Sequence, residues 1–199
     1  MWAADHDLHA TSFVSRCVAV LEQDPAVVLC YPETVRLEPD GSCSEPIAPR
    51  LDTRGLFDVQ RFQVVIWSLT YCYQIYGLLR SSALRRTSLT RPTIGPDTIL
   101  LAELALLGAF AFVPERLLYI RRMPDSGDWG QYVRKLGRRL TRWSALMLCW
   151  EMVLYHLLAV HRHMRSPSRK LLLLIAVLLC IPIRYRAVFG RIIAASRRA

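Results

Sequence analysis

The positive charge of this 199-residue chain is confined to its last third, and that asymmetry limits the possible folds more than any other feature. Residues 1–133 carry 12 basic and 15 acidic side chains, a net of −3. Residues 134–199 carry 14 basic side chains against a single acid, Glu151, a net of +13. Such a division reads as a body that bears any acidic site, followed by a segment suited to an anionic partner. Hydrophobic residues make up 53% of the chain, enough to build a core, which excludes global disorder. With 9 Gly and 11 Pro the chain is neither collagen-like nor of low complexity. Its six cysteines are scattered without a C-x-x-C pair, which predicts free thiols in a reducing cytoplasm. The opening residues turn acidic at Asp5 and Asp7 and do not read as a secretory signal.

Hydrophobic periodicity divides the body into alternating elements. Phe13, Val14, Cys17, Val18 and Leu21 recur at helical spacing within residues 11–22, and Asp24-Pro25 ends that helix. The run AVVLCYP predicts a buried strand, and TVRLEPDGS a second, more exposed strand before an Asp40-Gly41 turn. Residues 42–55 read as loop, 58–73 as helix, and IYGLLR as a strand. After a loop that breaks at Gly95-Pro96, DTILLAELALLG predicts a helix with Gly108 as its stop. AFVP and LLYIRR read as two short strands. Alternation of this kind argues for an α/β body up to about residue 125.

The remainder is helical in pattern. GDWGQYVRKLGRRLTRW is amphipathic and Arg-rich. Two apolar runs follow, 144–160 with Glu151 and His156 inside it, and 171–183 between Lys170 and Arg184. A bilayer-spanning helix needs about 20 apolar residues, so helices that lie at an interface or pack on the body fit better than a membrane-crossing hairpin. Arg alternating with long aliphatic runs suits an anionic lipid surface; nucleic acid suits it less, because no reader fold is visible. The pair His161-x-His163 beside Arg162 reads as a solvated helix end.

Two groups of residues could carry chemistry. In an extended segment Asp5 and Asp7 project to one side and His6 to the other. Two hard oxygen donors so placed can hold Mg²⁺ or Mn²⁺, ions that use few carboxylates plus substrate phosphates. Taken alone, such a pair is more often a solvated acidic turn. Asp97 opens a helix, where unpaired N–H groups and the dipole favour an ionised carboxylate. It could accept a proton from a hydroxyl, or simply cap the helix.

The order of these segments adds a resemblance. WAADHDL, a helix, and then EQDPAVVLCYPETVRLEPDG resemble the middle of bacterial family 2 glycosyltransferases of the GT-A fold. Those proteins read W-A-x-D-H-D-x, a helix, L-x-x-D-P-x-V-V-L-x-Y-P-x-T and an acidic-Gly turn. IYGLLRSSALRRT resembles their Y-G-L-x-R-x-x-x-L segment. GPDTILLAELALLGAFAFVPERLLYIRR resembles their D-x-x-L-L-x-E-L-x-L-x-G-x-F-x-x-V-P-E-x-L-x-x-R block. Together these stretches cover about residues 1–122 in order.

The resemblance implies a partial GT-A (nucleotide-diphospho-sugar transferase) body over residues 1–125 and an all-helical basic segment over 126–199. The implied reaction is metal-assisted transfer of a sugar from a nucleotide-sugar donor to an acceptor hydroxyl, by one displacement and with inversion. Asp5 would lie near the donor ribose or the metal, and Asp7 would hold the divalent cation, Mg²⁺ or Mn²⁺. Asp97 would be the general base, and Arg121 or Arg122 would meet the donor phosphate. His6, pointing away from both acids, would serve packing or a backbone bond. The family follows its last strand with an Arg and a His-containing loop, whereas Met123 stands where that His often lies. Family members also carry a donor-binding half ahead of the D-x-D segment, so the implied match is to their C-terminal half, with weak donor affinity in this chain. The alternative from another class is a non-catalytic membrane-peripheral or protein-interaction module derived from the same fold. Either reading places the protein in the cytoplasm, peripheral to the inner face of the cell membrane.

Overall fold

A computed structural model describes residues 1–69, 71–121 and 128–197. The chain is mixed α/β and divides into two compact units: Met1–Leu89 with Leu100–Pro124, and Thr90–Ile99 with Asp125–Ala199.

The first unit is built on a four-stranded sheet in the order β1-β4-β2-β3. Its strands are β1 (Leu8–His9), β2 (Val27–Leu37), β3 (Leu78–Leu79) and β4 (Ala109–Arg121). β2 and β4 run parallel, and the short strands add antiparallel edges, β1 on β4 and β3 on β2. Helix α1 (Phe13–Gln23) precedes β2; α2 (Asp58–Ser68), α3 (Ser81–Leu84) and α4 (Pro96–Leu107) lie between β2 and β4. A parallel pair requires such a long crossover.

The two long strands differ from the expectation of four short ones. AVVLCYP and TVRL form one strand, and AFVP and LLYIRR form another. The breaks expected at Pro32 and Pro114 are absorbed by a bulge, since the ladder passes from Pro32↔Val113 to Glu33↔Arg116. Proline is tolerated at a bulge, where no ladder N–H is needed. The strand expected over IYGLLR shrinks to Leu78–Leu79, preceded by a 3₁₀ turn at Tyr73–Tyr76.

Both faces of the sheet are covered. One buried cluster joins Leu29, Tyr31 and Phe110 to Val65 of α2, to Leu69 just after it and to Leu104 of α4; the other joins Cys30, Ala111 and Leu117 to Phe13 and Cys17 of α1. Burial on two sides explains why the strands are near-continuous in apolar residues. Helix α4 is buried on nearly every side, with Leu100, Leu101, Ala102, Leu104 and Ala105 enclosed together with Glu103. Its end at Gly108 does not use the left-handed conformation expected of a glycine stop, because Gly108 is absent from the positive-φ residues. The glycine is required by close packing instead: a Cβ there would strike the Val28 side chain and stand 2.7 Å from the Ala26 carbonyl oxygen. Gly77 is similar, since its Cβ would lie 2.5 Å from the Cys30 carbonyl oxygen.

The second unit is helical: α5 (Trp129–Lys135), α6 (Arg142–His163), α7 (Pro167–Arg184) and α8 (Arg186–Ala195). The single amphipathic helix expected from GDWGQYVRKLGRRLTRW is interrupted, because α5 stops before Gly137, whose φ is +73°. Helix α6 restarts at a reciprocal cap. Thr141 Oγ1 accepts the Ser144 N–H at 3.1 Å and Ser144 Oγ accepts the Thr141 N–H at 2.8 Å. With 22 residues α6 exceeds the run expected from the sequence, and it is long and apolar enough to cross a membrane. Here, however, 39% of its apolar window is buried within the protein, including Leu148, Met152, His156 and Val160. Leu173, Val177, Cys180 and Ile181 of α7 and Ile192 of α8 are also buried. Residues 90–99, the loop ahead of α4 and its first turn, belong to this unit: Tyr132 Oη donates to the Thr93 carbonyl at 2.9 Å, and the Arg91 guanidinium stacks over the Tyr155 ring at 4.7 Å.

Candidate active site

The segment Ala4–Asp7 is a turn, closed by the Asp7 N–H on the Ala4 carbonyl at 3.4 Å, and not the extended stretch expected. A turn separates side chains that a strand would align, so Asp5 and Asp7 occupy different environments. The Asp5 side chain is 100% exposed, with Oδ1 3.0 Å from His6 Nδ1. Its hydrogen bond to His6 holds the carboxyl below its ordinary pKa. The Asp7 side chain is 2% exposed, and its Oδ1 accepts the backbone N–H of Arg121 at 3.1 Å. That bond ties the N-terminal turn to the last residue of β4, a tie that β1 continues with Leu8↔Tyr119 and His9↔Leu118.

His6 does not point away from its neighbours. Its ring stands between the two acids, Nδ1 on Asp5 and Nε2 3.7 Å from Asp7 Oδ1. The sequence carries no signal for this position, because alternation in a strand predicts the opposite side and only the turn reverses it.

Arg121 ends β4 opposite Leu37 of β2, and its side chain is exposed. It lines a cavity of about 430 Å³ together with Leu37, Glu38, Pro39 and Gly41. The opening therefore lies beyond the carboxyl ends of the two parallel strands, where open α/β sheets place their ligands. Asp5, Asp7 and Arg121 are thus gathered in one region. Arg122 and Met123 lie outside the described residues.

Two carboxylates match the donor type and number that Mg²⁺ or Mn²⁺ takes from a protein when a phosphate supplies further ligands. Here Asp5 is open to solvent, Asp7 is almost fully buried, and the His6 ring stands between them. Among the described residues no group of three or more His, Cys, Asp or Glu side chains could hold a metal.

Asp97 stands in the first turn of α4 and belongs to the second unit, whereas Asp5 and Asp7 belong to the first. Its surroundings act against the helix terminus: burial raises the Asp97 pKa above the ordinary carboxylate value. Tyr132, in the same unit, has its phenol pushed up by burial and then by the Asp97 charge, which makes Tyr132 a neighbour that sequence spacing could not supply.

Two residues inside the quoted motifs are structural. Arg80 Nε donates to the Val27 carbonyl at 3.1 Å, fastening the start of β2. The buried Glu103 accepts the Ser88 N–H at 2.8 Å, fastening the loop ahead of α4. None of the six cysteines forms a disulfide. No family model, curated protein or solved structure matches the chain.

Proposed function

We propose that residues 1–125 form the C-terminal half of a GT-A-type family 2 glycosyltransferase, acting on a nucleotide-sugar donor and an acceptor hydroxyl. The observation that carries this reading is the anchored Asp7. Its carboxylate is fixed by the Arg121 N–H beside a cavity at the carboxyl ends of the parallel strands.

In this reading Asp7 and Asp5 would hold a divalent cation, Mg²⁺ or Mn²⁺. When bound, the ion would neutralise the charge of the departing nucleoside diphosphate. Asp7 is immobilised for that task and Asp5 is open to incoming ligands. The exposed Arg121 guanidinium offers a paired donor to a phosphate oxygen. Asp97 takes the proton from the acceptor hydroxyl. Its raised pKa suits the role, because a carboxylate that holds a proton more tightly is a stronger base at neutral pH. A single displacement assisted by one base inverts the anomeric centre.

The second reading is a non-catalytic interaction module. It is favoured by the His6 ring, which occupies the space between the two acids.

The two readings separate in a protein that joins this chain to a nucleotide-binding half. There Asp7→Asn removes sugar transfer and Mn²⁺-dependent nucleotide binding while circular dichroism is unchanged; unaltered transfer sinks the assignment. Asp97→Asn lowers turnover by about 10²–10⁴ with donor affinity nearly constant. Loss of donor affinity instead assigns Asp97 to binding. For the 199-residue chain alone the expected calorimetric signal with a nucleotide-sugar is weak, and micromolar binding contradicts the half-site reading.

A further inference from the structure

Helix α7 has two apolar faces, and only one of them is used by the protein. Leu173, Val177, Cys180 and Ile181 are buried in the second unit. Leu171, Leu172, Ile175, Leu178, Leu179 and Ile183 are exposed, with Leu171 and Leu179 each 60% open to solvent. Their spacing of three and four residues draws a continuous stripe along one side of the helix. Aliphatic patches of this extent are rarely left in water.

The rim of the stripe says what covers it. Arg169 and Lys170 stand before it, and Arg184 and Arg186 follow it. From residue 134 onward the only acid is Glu151, which is mostly buried and paired with Arg138 at 2.8 Å. No carboxylate on α6, α7 or α8 therefore opposes an anionic surface. Helix α6 adds Trp143, Met147 and Trp150, all exposed at helical spacing, with Trp143 73% open. Trp prefers the level of lipid headgroups. A hollow of about 320 Å³ lined by Arg142, Leu146, Ile193 and Arg197 pairs two cations with two aliphatic side chains, the chemistry of an anionic headgroup and the carbons beneath it.

We propose that the second unit docks on an anionic lipid bilayer, with the stripe of α7 lying in the interface and the flanking cations reaching up to the headgroups. This inference rests on the second unit alone and is independent of the transferase reading. In this arrangement the buried flank of α7 stays against the protein and the stripe faces the acyl chains, so the helix lies along the interface. Helices α7 and α8 meet at a bend of 58°. The Arg and Lys stems extend over the apolar surface while their charges stay in water.

Flotation of the full chain with vesicles tests the proposal, using phosphatidylcholine alone and with one quarter phosphatidylglycerol. The anionic vesicles are expected to bind at least about tenfold more tightly, and high salt is expected to weaken that binding. The Leu172→Glu/Leu179→Glu variant should lose binding about tenfold or more, whereas Val14→Glu, an exposed apolar position in the first unit, should bind like the parent. Should the double variant fail to fold, Arg142→Gln/Arg197→Gln leaves the stripe intact and should reduce the preference for anionic over neutral vesicles several-fold. Equal binding to both vesicles overturns the proposal, as does normal binding by the variants. So does attachment that survives alkaline carbonate, which means a spanning helix. A dimer that Leu179→Glu dissociates, without lipid binding, also overturns it and assigns the stripe to a second copy.

Discussion

Asp97 stands where helix geometry favours an ionised carboxylate, yet burial raises its pKa. The helix terminus acts over one turn, while removal from water acts on the whole charge, and here desolvation prevails. Because the folded pKa lies above the unfolded one, the contribution of Asp97 to stability is full below the ordinary carboxylate pKa. It is lost as the pH rises through the raised folded value. Asp97→Asn is therefore expected to raise the melting temperature at pH 7, with the gain vanishing in acid; a capping role gives the opposite sign at pH 7. His156 works in the other direction. It is fully buried, with Nδ1 2.7 Å from the Met152 carbonyl oxygen, and its pKa is lowered to about 4. Stability from the neutral imidazole is present above about pH 6.5 and disappears as the pH falls toward the folded value, a loss of up to about 3 kcal/mol. His156→Met should flatten that acid limb in pH-dependent melting curves. The burial of Asp97 was not legible in the sequence, because its neighbour Tyr132 lies 35 positions away and only folding brings the two together.

At the scale of the element, the two long strands depend on glycines chosen for space. Gly108→Ala places a methyl against the Ala26 carbonyl and the Val28 side chain, where neither backbone can yield easily. Overpacking of this kind costs about 1–3 kcal/mol, so the urea midpoint should fall with the slope unchanged. Helix α6 depends on its cap in a comparable way. Thr141→Ala removes the acceptor for the Ser144 N–H and should cost about 1 kcal/mol. The existence of α1, α4 and the apolar core of α6 was legible from periodicity, since a helix repeats its pattern within a dozen residues. The continuity of β2 and β4 was not. Pro32 and Pro114 signal a break locally, and only the register with the partner strand shows that Pro114 falls in a bulge and that Pro32, paired with Val113, adjoins it.

For the molecule as a whole, charge and compactness follow different boundaries. The unit formed by 90–99 and 125–199 holds 15 basic and 4 acidic side chains, a net of +11, while the other unit holds 11 and 12. Self-repulsion in the helical unit is offset by few ion pairs, such as Arg138–Glu151 and Arg134–Asp128. Screening should relieve it, so the melting transition of the chain is expected to rise between low and moderate salt. A transition that falls with salt means that those pairs outweigh the repulsion. What the sequence by itself determined is the mixed α/β body, the basic helical segment after it, and the acidic and apolar residues each had to present. These depend on periodicity, composition and turn residues, whose influence reaches only a few positions along the chain. Tertiary structure alone decided that a turn puts His6 between Asp5 and Asp7, that Asp7 is anchored by Arg121, and that Asp97 belongs to the helical unit. It also decided which face of α7 the protein leaves uncovered. The physical reason is the same in each case: exposure to water and the identity of a neighbour are set by contacts between distant segments, and no local pattern encodes them.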